Sequence, residues 1–221
     1  MAVFIIQIVV TFHGINEMDP KVSISRILFI ILLTLSGSSY ADYYLGASIE
    51  SGGEFLASST LGKTVDSGGG VKFEIGLHHS FNSASSIRLG VGYLLDEINA
   101  TNGEASIDAL TADAQYLWNI SKYHHIGFGV TTHFQPEYKF YFTPDANSSD
   151  KAVSGNINFQ TVVGSSIQYG YTLLTGFHVG IRYTKLMYKI ENMSDTETGF
   201  ADGGGFELNA DGVGLFITTQ F

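Results

Sequence analysis

Apolar residues at every second position recur in eight stretches between residues 42 and 221, and this alternation restricts the fold more than any other feature. A period of two is that of a β-strand, whose side chains point to opposite faces in turn. "DYYLGASIE" sets Tyr43, Leu45, Ala47 and Ile49 against Asp42, Gly46, Ser48 and Glu50. The next stretches oppose Val71, Phe73, Ile75 and Leu77 to Lys72, Glu74, Gly76 and His78, and Ile87, Leu89, Val91, Tyr93 and Leu95 to Arg88, Gly90, Gly92 and Asp96. Leu110, Ala112, Ala114, Tyr116 and Trp118 then face away from Thr111, Asp113 and Gln115, and Ile126, Phe128, Val130, Thr132 and Phe134 from Gly127, Gly129 and His133. The last three rows are Ile157, Phe159, Thr161, Val163, Ile167 and Tyr169; Phe177, Val179, Ile181 and Tyr183; and Val213, Leu215, Ile217, Thr219 and Phe221. Ile107, Phe206 and Leu208 fall out of phase, which predicts bulges near Ala109 and Asp211.

Short connections at about 81–85, 119–122 and 170–175 alternate with long polar ones at about 51–70, 97–104, 135–156 and 191–205. Such a chain runs up and down, and a sheet of eight strands that closes on itself has no exposed edge. The uniform face is the apolar one; the other carries Gly, Ser, Gln and charges. An apolar exterior around a polar interior is the arrangement required in lipid, where every backbone group must pair within the protein. Charged residues are only 14% of the chain, against roughly 25% in soluble domains. Aromatic residues gather at strand ends: Tyr43, Phe81, Trp118, Tyr123, Tyr169, Phe177 and Phe221 near the short turns, and Phe73, Tyr93, Phe134, Phe159, Tyr183 and Phe206 near the long loops. Two such girdles match the two interfaces of a bilayer.

Upstream, "KVSISRILFIILLTLSGSSYA" places Lys21 and Arg26 before an apolar run and small residues ending at Ala41, the order of a secretory signal. The reading is a signal peptide over 18–41, beginning at Met18, a mature barrel over 42–221, and an upstream, misassigned extension over 1–17. A precursor that retains Ala2 to Glu17 in its N-terminal sequence excludes that start. The absence of Cys rules out disulfides and thiolate chemistry, and a net charge of −10 argues against a nucleic-acid partner.

The 42–221 pattern resembles the small outer-membrane β-barrel family of the OmpA and OmpX type, eight-stranded and porin-like in build. The most specific piece is the ending, Val213, Leu215, Ile217 and Phe221, similar to that family's C-terminal assembly signal; Thr219 in the third-from-last slot is a mild departure. The resemblance implies a Gram-negative outer membrane reached by secretion through the inner membrane, with both termini periplasmic. Its implied partners are outer-membrane lipid, lipopolysaccharide, the barrel assembly machinery and periplasmic chaperones, and no cofactor is expected.

An eight-stranded barrel is just wide enough to be filled by side chains, so inward charges are expected to pair. Glu74, Arg88, Asp113 and Arg182 form the expected interior network, with Arg88 opposite His78 and in contact with Asp113. Its functional reading is a gate or proton-sensitive plug; its structural reading is an ion-pair network that satisfies buried charge. Catalytic residues are not expected. His78 and Ser80 offer a lipid A-modifying hydrolase reading, but they sit beside a short turn, away from the outer leaflet. His124, His125 and His133 offer a metal site, although neighbouring histidines point to opposite faces. Glu191, Asp195, Glu197 and Asp202 lack the spacing of a calcium loop. The leading function is that of a non-enzymatic outer-membrane barrel serving envelope structure or surface contact; the alternative, kept open by the many inward glycines, is a narrow channel for small or hydrophobic solutes.

Overall fold

β-branched and aromatic residues dominate the outward rows, and in the computed structural model each row lies beside a like row on the next strand. Ile75 pairs with Val91 and Val91 with Ala112; Ile49 pairs with Leu215 and Leu215 with Ile181. Such cross-strand apolar pairs stabilise a sheet face and hold its register. The structure describes residues 41–58, 64–100, 103–143, 152–174, 176–195, 199–202 and 206–221. The expected extension 1–17 and, except for Ala41, the expected signal 18–41 lie outside the described residues.

Eight strands form the barrel: β1 (Ala41–Gly52), β4 (Gly70–Asn82), β5 (Ser85–Ala100), β6 (Gly103–Asn119), β7 (His124–Phe142), β9 (Val162–Leu174), β10 (Phe177–Lys185) and β14 (Gly212–Gln220). They are hydrogen-bonded in that order, and β14 returns to β1, so the antiparallel sheet is closed. Tight turns join β4 to β5, β6 to β7 and β9 to β10. At the first, the Asn82 side-chain oxygen accepts from the amide of Ala84 at 2.8 Å, a local bond that suits Asn to turns. Residues 81–85, 119–122 and 170–174 mark the turn end.

The opposite, ribbon end differs from expectation. All four connections expected to be long polar loops contain strand. β5 and β6 stay paired out to Ala100 and Gly103, and β7 continues to Phe142, paired with β8 (Val153–Phe159). β8 pairs in turn with β11 (Met187–Asp195), which also pairs with β12 (Gly199–Asp202) and β13 (Glu207–Asn209). β2 (Phe55–Ser58) and β3 (Thr64–Asp66) form a separate hairpin in the first connection.

The reason is a change in what the barrel encloses. Toward the ribbon end the inward rows become apolar: Ile98, Ala105, Ile107, Tyr138, Phe159, Leu186 and Tyr188 are buried together. Val65 of the hairpin joins them, fully buried, and the hairpin is tied down by the amide of Asp66 donating to Asp96 Oδ2 at 3.1 Å. Burial pushes the Asp96 carboxyl above the ordinary carboxylate range, against that amide bond. Strands with a core to bury have reason to extend; the expected polar loops would have none.

This also corrects the phase argument. An irregularity does lie at Ala109, but the additional residue belongs to β7: Asp108 pairs with Glu137 and Leu110 with Phe134, leaving Gln135 and Pro136 opposite Ala109. Gln135 adopts φ of 42°, and this bulge turns Tyr138, Phe140 and Phe142 inward. β6 itself keeps its phase, so Ile107 faces the interior like Asp113; it is apolar because the interior is apolar there. Leu208 faces inward for the same reason, and β13 and β14 are separated at Ala210–Asp211. Phe159 does not belong to the girdle. The break at Gln160–Thr161 between β8 and β9 reverses the alternation, and Phe159 is 1% exposed within the apolar core.

Candidate functional site

The outward surface of β1, β4–β7, β9, β10 and β14 is an apolar band: Leu45, Ile49, Ile75, Val130, Ile181, Leu215 and Ile217 are all exposed. Tyr43, Phe81, Trp118, Tyr123, Tyr169 and Phe221 stand exposed at the turn end, and Phe73, Tyr93 and Tyr183 on the ribbon side. Tyr93 and Tyr183 direct their hydroxyls away from the band, donating to Asp108 at 2.9 Å and Asp211 at 3.0 Å. An amphipathic ring with its polar tip turned to the wet side is what an interface selects. Beyond that level charge joins the outward residues, Lys139 lying 2.9 Å from Glu137 and 3.8 Å from Asp108, although Tyr141, Met187 and Phe206 are exposed there too. Tyr93→Phe is expected to lower stability in lipid by about 1 kcal/mol, the value of one hydrogen bond, and urea unfolding in vesicles measures it.

Inside, three levels succeed one another. The middle level is ionic, and it holds three of the four residues expected to form a network. Lys72 Nζ donates to Asp113 Oδ2 at 2.5 Å and lies 3.5 Å from Glu74 Oε2. Arg182 Nη1 approaches the same Glu74 oxygen at 3.8 Å, its Nε donates to Gln168 Oε1 at 3.2 Å, and its guanidinium lies 5.4 Å over the Phe216 ring. The Gln115 amide, oriented by its neighbours, donates to Gln168 Oε1 and accepts from Arg182 Nη2, both at 3.1 Å. All these side chains are buried.

Arg88 is inside but does not meet Asp113. Its register with His78 is as expected, yet across β5 and β6 it faces Gln115, and Gly90 faces Asp113. The contact falls to Lys72 because β5 presents Gly90 and Gly92 at that level, so a long side chain on β4 can cross the strand to β6. Lys72 lay on the inner face in the sequence; only closure shows that the strand between carries no side chain. Arg88 sits nearer the turn end, 4.7 Å over the Tyr44 ring.

The inward glycines are largely covered rather than left open. Tyr44 lies where a Cβ on Gly76 or Gly90 would point; Glu74 covers Gly46, Gln168 and Leu117 cover Gly127, Phe216 covers Gly180, and His125 covers Gly170. Small residues on one strand thus receive large ones from another, and the middle of the lumen is packed. At the top, His133 Nδ1 shares a 2.7 Å hydrogen bond with the hydroxyl of Tyr188, joining the ionic level to the apolar one.

The remaining candidates disperse. His78 engages the side chain of Gln220, and Ser80 is exposed at the turn end. His124 bonds Tyr169 on the outer surface while His125 points inward. Among the described residues, no three His, Cys, Asp or Glu side chains stand close enough to hold a metal. Of the acidic set, Glu197 lies outside the described residues; the β11–β12 ribbon pairs Asn192 with Asp202 and Asp195 with Gly199.

A closed eight-stranded antiparallel sheet, apolar outside and charged within, defines a transmembrane β-barrel. No family model and no curated protein matches the chain. Solved structures similar to it include Ail, the attachment invasion locus protein of Yersinia pestis, at 10% identity and a TM-score of 0.49, covering 82% of this chain and 97% of that one. A major outer membrane protein from Thermus thermophilus is 14% identical with a TM-score of 0.46, covering 82% and 99%. Neisserial surface protein A is 14% identical with a TM-score of 0.41 over the same shares.

Proposed function

We propose that the chain is a non-enzymatic integral protein of a Gram-negative outer membrane, serving envelope structure or surface contact through its ribbon end. The packed interior carries this reading. The middle of the lumen is occupied by a buried ion cluster and by side chains laid over its glycines, and the ribbon end is closed by an apolar core with the β2–β3 hairpin against it. Such a barrel offers lipid a surface and offers the exterior a β-built platform, with little passage between.

The outward residues Val213, Leu215 and Ile217 of β14, and Phe221 just past it, are exposed beside the β1–β14 seam, where an assembly signal must be legible before closure. Membrane lipid and lipopolysaccharide are then the partners of the apolar band and its girdles, and chaperones and the assembly machinery those of the unfolded chain. Purified barrel in a planar bilayer is expected to give no regular unitary conductance. A stable open level that scales with salt would replace this reading with the narrow-channel one, and recovery of the processed protein in the soluble periplasmic fraction would remove it altogether.

A further inference from the structure

Three cations are buried in the described lumen, Lys72, Arg88 and Arg182, each at most 3% exposed. The carboxylates around them are the buried Glu74 and Asp113 and the half-buried, inward Glu50 of β1, whose charge acts on Lys72 and Arg182. Lys72 and Arg182 engage the two buried carboxylates. Arg88 is left over, 1% exposed, and its Nε, Nη1 and Nη2 have no hydrogen-bond partner among the described residues. The Tyr44 ring covers one face of the guanidinium and leaves the donor edge free. The Glu74 charge reaches Arg88 without contact, and a buried cation with no ion pair and no hydrogen bonds is costly enough to need an explanation.

Three imidazoles from three other strands share this level. His78 on β4 is Arg88's register partner, and His125 on β7 meets His178 on β10 edge to face at 5.5 Å. The Arg88 charge acts on all three rings. His78 Nδ1 accepts from the Gln220 amide and His178 Nδ1 bonds Thr172 Oγ1 at 2.9 Å, while Nε2 of all three rings is without a partner among the described residues. A neutral imidazole whose Nδ1 accepts carries its proton on Nε2, which leaves the His78 Nε2 able to donate. His78 and His178 are half-exposed at the turn end whereas His125 and Arg88 are buried, which sets the direction of entry.

We propose that Arg88, with His78, His125 and His178, forms a binding site for a small tetrahedral oxyanion of the phosphate or sulfate type, entered from the turn end. A metal does not suit the place: the rings are not disposed to chelate, and Arg88 repels a cation. Several donors arriving from different strands suit an anion with several oxygens better than a monatomic one. Two carboxylates oppose an anion here: Glu74, whose charge reaches Arg88 but which Lys72 and Arg182 hold, and Asp42 at the mouth, within electrostatic reach of His78, exposed and screened.

The test is calorimetric titration of the folded barrel in nanodiscs with inorganic phosphate and with sulfate, in a chloride background. Saturable binding at one site is expected. Arg88→Met is expected to abolish it, and Arg88→Lys and His178→Ala to weaken it by about tenfold each, the loss of one charge-assisted hydrogen bond. Gel mobility before and after boiling verifies that each variant is folded; should Arg88→Met not fold, the two milder variants decide. Tighter binding of glycerol phosphate than of phosphate would assign the site to phosphate esters, the reverse to the free ion, and either supports an oxyanion site. No saturable binding by the folded wild type, or unchanged affinity in the folded Arg88 and His178 variants, overturns it.

Discussion

Lys72→Met is expected to destabilise the folded barrel by about 3–5 kcal/mol, the cost of leaving a buried carboxylate without its partner. Lys72 donates to Asp113 at 2.5 Å and lies 3.5 Å from Glu74, so its loss leaves Arg182 alone with two buried anions. Neither carboxylate can turn to solvent, since their side chains are 3% and 6% exposed. Urea unfolding in lipid vesicles reads the effect. Adding Asp113→Leu to Lys72→Met removes the orphaned anion, and much of the loss is expected to return. The same Met substitution at Arg88, in buffer free of phosphate and sulfate, is expected to cost far less, because Arg88 makes no ion pair among the described residues. Equal losses at positions 72 and 88 would mean that the ion cluster is arranged otherwise than described.

Leu215→Arg is expected to cost about 2–4 kcal/mol in a bilayer, as a cation does at the lipid-facing middle of a barrel strand. Leu215 is 69% exposed and flanked by Ile49 on one side and Ile181 on the other. The substitution touches no packed core, so a soluble barrel would tolerate it. That contrast makes it the direct check on the inverted arrangement: a change within about 0.5 kcal/mol, the usual range for surface substitutions, would mean that this face meets water.

The membrane band was legible because it is local. Alternation within a strand, an aromatic at either end and a tight turn between two strands are properties of ten or so consecutive residues. They placed Leu45, Val91, Ile181 and Leu215 on the outer face and His78 opposite Arg88, which the register bears out. The ribbon end was not legible. An inward row that changes from polar to apolar looks, in one strand, the same as an outward row shifted by a bulge. Ile107 and Phe159 show the two cases: one keeps its phase and enters an apolar interior, the other reaches the same interior because a break reverses it. Only neighbouring strands distinguish them. The partner of Asp113 was hidden for a related reason. Counting through a turn locates Arg88 to within a residue or two, but whether Lys72 can cross β5 depends on Gly90 and Gly92 standing together beneath it.

The sequence by itself determined that this chain is β, that it alternates, that it turns its apolar side out and that its inner side carries charge, since each is set by side chains a few bonds apart. The tertiary structure decided which charges pair, where the interior changes from ionic to apolar, and that Arg88 stands among three imidazoles with no ion pair among the described residues. Those depend on distances across a closed sheet, and closure brings together residues whose separation along the chain carries no record of it.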